Sequence, residues 1–303
     1  MLLVALALSV ALAESPGVMP AGTRAARAGA GLTTFRDLGF GSGSIAGDRV
    51  VQPRVDLYGA WAPAPRLQVS GSVPLVASWV TDGDAPLPCP DGLPTEGHCE
   101  GFGTVGAARI DARYGLLAAQ RGTLTLGVGA GSDRWNAGRR GQYNAQGTGR
   151  THVEALVIAG TRADPGAWTL DGVLLTAFGY SLAPSVTSAA GGVRVPGPGD
   201  HVRASLELHA RPPGPVTLLV GAHALQRLSG VELDAAWIED WWRASLDRWN
   251  VLMARQVTCS AGIGFDVAAD RRIELQVQRA VAVQRAFQDT TDLSVGWHQT
   301  FAP

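Results

Sequence analysis

The chain carries six histidines and three cysteines, the side chains best suited to catalysis or metal binding. His201, Glu207 and His209 sit on one parity of a single segment, so an extended strand would place them on one face. A hydrolase would need a nucleophile within reach of such a base, and no Gly-x-Ser-x-Gly elbow occurs. Nor does any Ser or Asp spacing mark a nucleophile and its partner. A zinc centre would need further ligands at fixed spacing. No enzymatic activity, metal or cofactor is therefore expected. Cys89 and Cys99 fall in one loop (CPDGLPTEGHC). A disulfide there would close a small loop, and the alternative is a zinc pair completed by His98. Cys259 lies on the apolar parity of its segment, where a thiol acts as a small hydrophobe.

Charge is nearly balanced. The formal net charge is −1 and all 25 basic residues are arginine, which gives no basis for a nucleic-acid partner. Residues 1–13 (MLLVALALSVALA) form an apolar run ending in Ala11-Leu12-Ala13, the pattern of a cleaved secretory signal peptide. The run lacks a positive leading segment, which leaves room for a start upstream. Residues 14–303 are then one domain, since neither a linker nor an internal repeat divides them. No later apolar stretch approaches the ~20 residues of a transmembrane helix.

The elements that must position these side chains have period 2. Alternating stretches near 22–35, 51–62, 67–80, 103–118, 122–132, 151–163, 167–181, 200–211, 216–228, 251–267, 272–287 and 291–301 read as about twelve strands. Tight turns at 63–66, 119–122, 164–166, 212–215 and 268–271 alternate with long Gly/Pro-rich loops. Short turns at one end and long loops at the other are the pattern of an all-β, transmembrane, antiparallel up-and-down barrel in a bacterial outer membrane, with periplasmic turns and extracellular loops. On the apolar parity, Trp61, Tyr114, Trp168, Phe265 and Phe301 gather at the turn ends, while Trp79, Phe178 and Tyr180 gather at the loop ends. Two such rings resemble the aromatic girdles of a membrane barrel and point to outer-membrane lipid as the surrounding medium.

The opposite parity is then the lumen. It presents Arg54, Asp56 and Tyr58; Gln68, Ser70 and Ser72; Arg109, Asp111 and Arg113; Thr123 and Thr125; His152 and Glu154. Further along it presents His201, Arg203, Ser205, Glu207, His209 and Arg211; Thr217 and His223; Glu274, Gln276 and Gln278. The charged and histidine residues among these are the candidate pore lining, with Arg54, Arg109, Arg113 and Arg203 expected to face Asp56, Asp111, Glu207 and Glu274. The pattern leaves Arg279 outward, where mid-membrane charge would cost about 2–4 kcal/mol, so a bulge or register change is expected there. In the loop at 233–249, Trp237, Trp241, Trp242 and Trp249 lie on a short helical pattern, which could fold over the mouth as a lid or rest at the rim.

Two segments resemble a known group. Leu57-Tyr58-Gly59-Ala60-Trp61, continued by Leu67-Gln68-Val69-Ser70-Gly71-Ser72-Val73-Pro74-Leu75-Val76, is one. The other is Gly101-Phe102-Gly103 leading to Ala108-Arg109-Ile110-Asp111-Ala112-Arg113-Tyr114. Both are similar to the transporter-like outer-membrane barrels of the phenol-degradation meta-pathway and, more distantly, to FadL-type channels. Thr104 stands where that group usually has Asp. The last strand, ending in Phe301, resembles the C-terminal signature of outer-membrane proteins, here followed by Ala302 and Pro303. The resemblance implies passive uptake of small, apolar or aromatic compounds and carries over no binding residue. The rival expectation is a non-conducting barrel whose loops bind a partner.

Overall fold

The computed structural model describes residues 17–35, 38–40, 43–45, 49–81, 102–132, 151–182, 186–187, 194–195, 200–228, 255–284 and 290–302. Twelve strands form the wall. They are β1 (Arg24–Phe35), β2 (Arg49–Ala64), β3 (Leu67–Thr81), β4 (Ala108–Ala119), β5 (Gly122–Ser132) and β6 (Thr151–Ala163). β7 (Thr169–Ser181), β8 (His201–Arg211), β9 (Val216–Arg227), β10 (Arg255–Ala268), β11 (Arg271–Gln284) and β12 (Thr291–Phe301) complete it. A short stretch, Phe102–Val105, runs ahead of β4 and continues its pairing with β3. Each strand is antiparallel to its neighbours in sequence, and β1 pairs with both β2 and β12, which closes the ring. Closure matters physically, because an open edge would leave backbone N–H and C=O groups unpaired in hydrocarbon. Leu38–Phe40 with Gly43–Ile45, and Val186–Thr187 with Arg194–Val195, make two small hairpins apart from the ring.

The alternation sorts the faces. Leu57, Ile110, Val128, Leu174, Leu206, Val220 and Leu293 are all at least 42% exposed and point outward. The other parity is buried and mostly polar, so the barrel is inside-out relative to a soluble sandwich. The outward aromatics Trp61, Tyr114, Trp168, Phe265 and Phe301 lie at the turn end, and Phe178 and Tyr180 at the opposite end. Cys259 is free and exposed on the outer surface. The side chain of Trp79, Cys89 and Cys99, the four tryptophans at 237–249 and the segment 1–16 lie outside the described residues.

Arg279 stays outward, and the register change falls just beyond it. Val257 pairs with Ala282 while Thr258 pairs with Ala280, so Val281 is the extra residue. Arg279 pairs with Cys259 and with Thr291, the first residue of β12. That places it near the loop end of β12, where the cost of charge falls off.

Candidate functional site

The inner wall is the candidate site. Arg54, Asp56, Arg109, Asp111, Arg113, His152, Glu154, His201, Arg203, Glu207, His209, His223 and Glu274 all stand on the inward parity of their strands, buried or half-buried. What alternation could not supply is which of them meet. The register places Asp111, Gly129, Glu154, Gly179 and His201 in one row across β4 to β8.

Glu154 is the hub of that row. Arg109 Nη1 reaches its Oε2 at 2.5 Å from β4, two strands away. From β8, two strands away on the other side, Arg203 donates from Nη2 to Oε2 (2.8 Å) and from Nε to Oε1 (3.1 Å). His201 Nε2 also lies 2.9 Å from Oε1, and its ring meets that of His152 edge to face with centroids 5.9 Å apart. Arg109 is shared with Asp111 Oδ1 (2.6 Å), and Arg113 Nη2 lies 3.7 Å from Asp111 Oδ2.

Glycine on the strand between makes these spans possible. A Cβ on Gly129 of β5 would stand 2.4 Å from Asp111 Oδ1 and 2.7 Å from Arg109 Nη2. On Gly131 it would meet His152 Cε1 at 2.3 Å, and on Gly179 of β7 His201 Cε1 at 2.1 Å. The charged side chains therefore lie flat along the wall, over a lane with no side chain of its own. The same device recurs at the closing seam. Arg54 of β2 passes over Gly31 of β1 to Asp292 of β12, donating from Nη2 to Oδ1 at 2.9 Å, and Thr33 Oγ1 donates to Asp292 Oδ2 at 2.5 Å. Arg54 Nε also holds Asp56 Oδ2 at 2.8 Å.

The expected facing rows are thus redrawn. Glu207 meets His209 (3.4 Å) and Glu274 meets His298 (3.6 Å), whereas the arginines gather on Glu154, Asp111 and Asp292. Asp171, inward on β7, binds Arg162 Nε (2.7 Å) and Arg211 Nη1 (2.6 Å) near the turn end. His223 Nε2 lies 3.3 Å from Ser260 Oγ, and among the described residues no carboxylate pairs with it to orient a base. Among the described residues, no group of three or more metal-ligating side chains comes together.

Sequence reasoning missed Arg27, Asp171, Asp292 and an apolar band. Leu156 and Ile158 of β6 and Val173, Leu175 and Ala177 of β7 face inward as one cluster, 2–6% exposed. The signal was present in Val173-Leu174-Leu175-Thr176-Ala177-Phe178, which is almost wholly apolar on both parities rather than alternating. The segment ahead of β1 also touches the inner wall at the turn end. Met19 N donates to Gln68 Oε1 (3.1 Å), Val18 lies beside Gly115, and Gly17 beside Thr123.

No described protein family matches the chain, and no curated protein does. Solved structures do. The COG4313 outer membrane channel from Pseudomonas putida F1 superposes with a TM-score of 0.67 at 15% identity, covering 95% of this chain and 98% of that one. The NanC porin gives 0.50 at 8% identity over 92% of this chain and 100% of that one. The transport unit of the autotransporter AIDA-I from Escherichia coli gives 0.50 at 8% identity, over 98% and 97%. At such identities the likeness speaks to fold. With its closed ring of twelve antiparallel strands and its apolar exterior, this chain has the fold of the bacterial outer-membrane β-barrels.

Proposed function

We propose that the barrel is a channel for passive diffusion of small solutes across the outer membrane. The observation that carries this reading is the state of its inward polar atoms. Asp56 Oδ1, Thr125 Oγ1, His152 Nε2, Glu207 Oε1, Thr217 Oγ1, Thr258 Oγ1, Glu274 Oε1 and Gln276 Nε2 are buried without a hydrogen-bonding protein partner. A dry interior would lose about 1–3 kcal/mol at each such atom. Eight of them, on seven strands, call for partners that the protein does not supply, which ordered water held inside the barrel would provide. The ion pairs described above also join the same strand or strands no more than two apart, so they run round the wall rather than across the bore. The resemblance of residues 57–76 and 101–114 to the phenol-degradation barrels adds the finer reading that apolar or aromatic compounds are among the solutes.

Swelling of vesicles that contain the folded protein tests the proposal. Small sugars and monoaromatic solutes should enter faster than into protein-free vesicles, at rates that fall with solute size. Equal rates with and without folded protein would defeat it.

A further inference from the structure

The chain ahead of β1 does not continue along the line of that strand. Thr23 N donates to Pro20 O at 3.1 Å, a turn that Gly22 permits with a φ of 85°. From there the segment crosses the neighbouring strands in order. Gly22 N donates to Ala62 O of β2 at 2.8 Å, and Met19 N donates to Gln68 Oε1 of β3 at 3.1 Å. Val18 Cγ2 stands 3.5 Å from where a Cβ on Gly115 of β4 would lie. A Cβ on Gly17 would stand 3.8 Å from Thr123 Cβ of β5.

The wall leaves room for this path. Ala62 is small and fully buried, and Gly115 has no side chain beneath Val18, where branching beyond a Cβ would crowd it. Pro20 brings no N–H that would need a partner. A segment that only tethered β1 to β2 would need the Ala62 bond and nothing further. The contacts to Gln68, Gly115 and Thr123, all on the inner face, instead place backbone inside the bore. The segment passes β2 to β5, four of the twelve wall strands. A backbone layer about 5 Å wide there narrows the mouth from one side.

We infer that residues 17–20 form a strap that sets the upper size of solute passing the turn-end mouth. The inference rests on the channel reading and deepens it, because it assigns size selection to this strap rather than to the charged wall of β4 to β8.

Pinning and release of the strap test it in the folded protein. Positions 17 and 123 have the Cβ separation of a disulfide, so Gly17→Cys with Thr123→Cys should crosslink on oxidation. The crosslink is read as a change of gel mobility lost on reduction, and the two single-cysteine variants control for pairing with Cys89, Cys99 or Cys259. Release is Val18→Gly with Gln68→Ala, which removes the contact at Gly115 and the acceptor of Met19 N. In vesicle swelling, release should raise the ratio of disaccharide to monosaccharide uptake about twofold, the scale of removing a backbone layer from part of a narrow bore. Crosslinking positions 17 and 123 in the release variant should restore the parent ratio, and reduction should raise it again. Heat-dependent gel mobility verifies folding of each variant. Gln68→Ala alone serves where the double variant does not fold, with a smaller rise in the same direction. Absence of the crosslink in folded protein overturns the inference, and so does an unchanged uptake ratio after release. A barrel that admits neither sugar, with the strap held or released, sinks the channel reading and this inference with it. Solute entry with the same size limit after release sinks this inference alone.

Discussion

At the scale of the residue, the glycines of the inner wall decide which charges meet. Gly129 is not needed for backbone freedom; it is needed because a methyl group there would occupy the path from Arg109 to Glu154. Gly129→Val should therefore separate that pair and destabilise the barrel by roughly 1–3 kcal/mol in a urea unfolding series in lipid. Gly59→Ala is the matched control, since a Cβ at Gly59 meets nothing within 4 Å, and it should leave the midpoint unchanged. Glu154→Gln removes the shared anion of Arg109, Arg203 and His201. Breaking a buried pair from one side costs about 3–5 kcal/mol, so unfolding should come earlier. The inner wall should also become more attractive to anions, read as a shift of reversal potential toward anion selectivity. An unchanged reversal potential in a conducting Glu154→Gln barrel would remove Glu154 from the conducting path.

Elements were the most legible scale. Strands β5, β6 and β12 begin and end where the alternation does, because period 2 is a direct consequence of a pleated backbone with two unlike faces. The faces followed from the same pattern except on β1, where Arg24 and Arg27 fall on opposite parities and only the structure shows Arg27 buried inward and Arg24 exposed at the rim. Partner choice did not follow, since Arg109 and Glu154 are 45 residues apart in number and become neighbours only through the registers of β4–β5 and β5–β6. β7 hid its inner face because Val173, Leu175 and Ala177 are as apolar as the outward Leu174 and Phe178, leaving no contrast to read. A membrane-facing assignment makes a sharp prediction for that strand. Leu174→Arg, outward and 46% exposed, should slow or reduce folding into vesicles, at a cost of about 2–4 kcal/mol at mid-depth. Thr176→Ser on the same parity should fold as the parent does.

For the whole molecule, closure is the property on which everything else depends. β1 and β12 meet along Arg24↔Phe301 through Thr34↔Thr291, joining the first wall strand to the last. Ala30 and Val295 are paired across that seam and both face outward. Cysteines at these two positions should form an intramolecular disulfide in the folded protein, detected as a change of gel mobility lost on reduction. Absence of the crosslink in folded protein would mean that the ring is not closed in this register.

The central claim is that a closed barrel with wall-bound ion pairs keeps a hydrated path through its interior. Single-channel recording of the folded protein in a planar bilayer tests it most directly. The account predicts discrete conductance steps, with a reversal potential that Glu154→Gln moves toward anions. Protein verified as folded and inserted that gives no steps would contradict it.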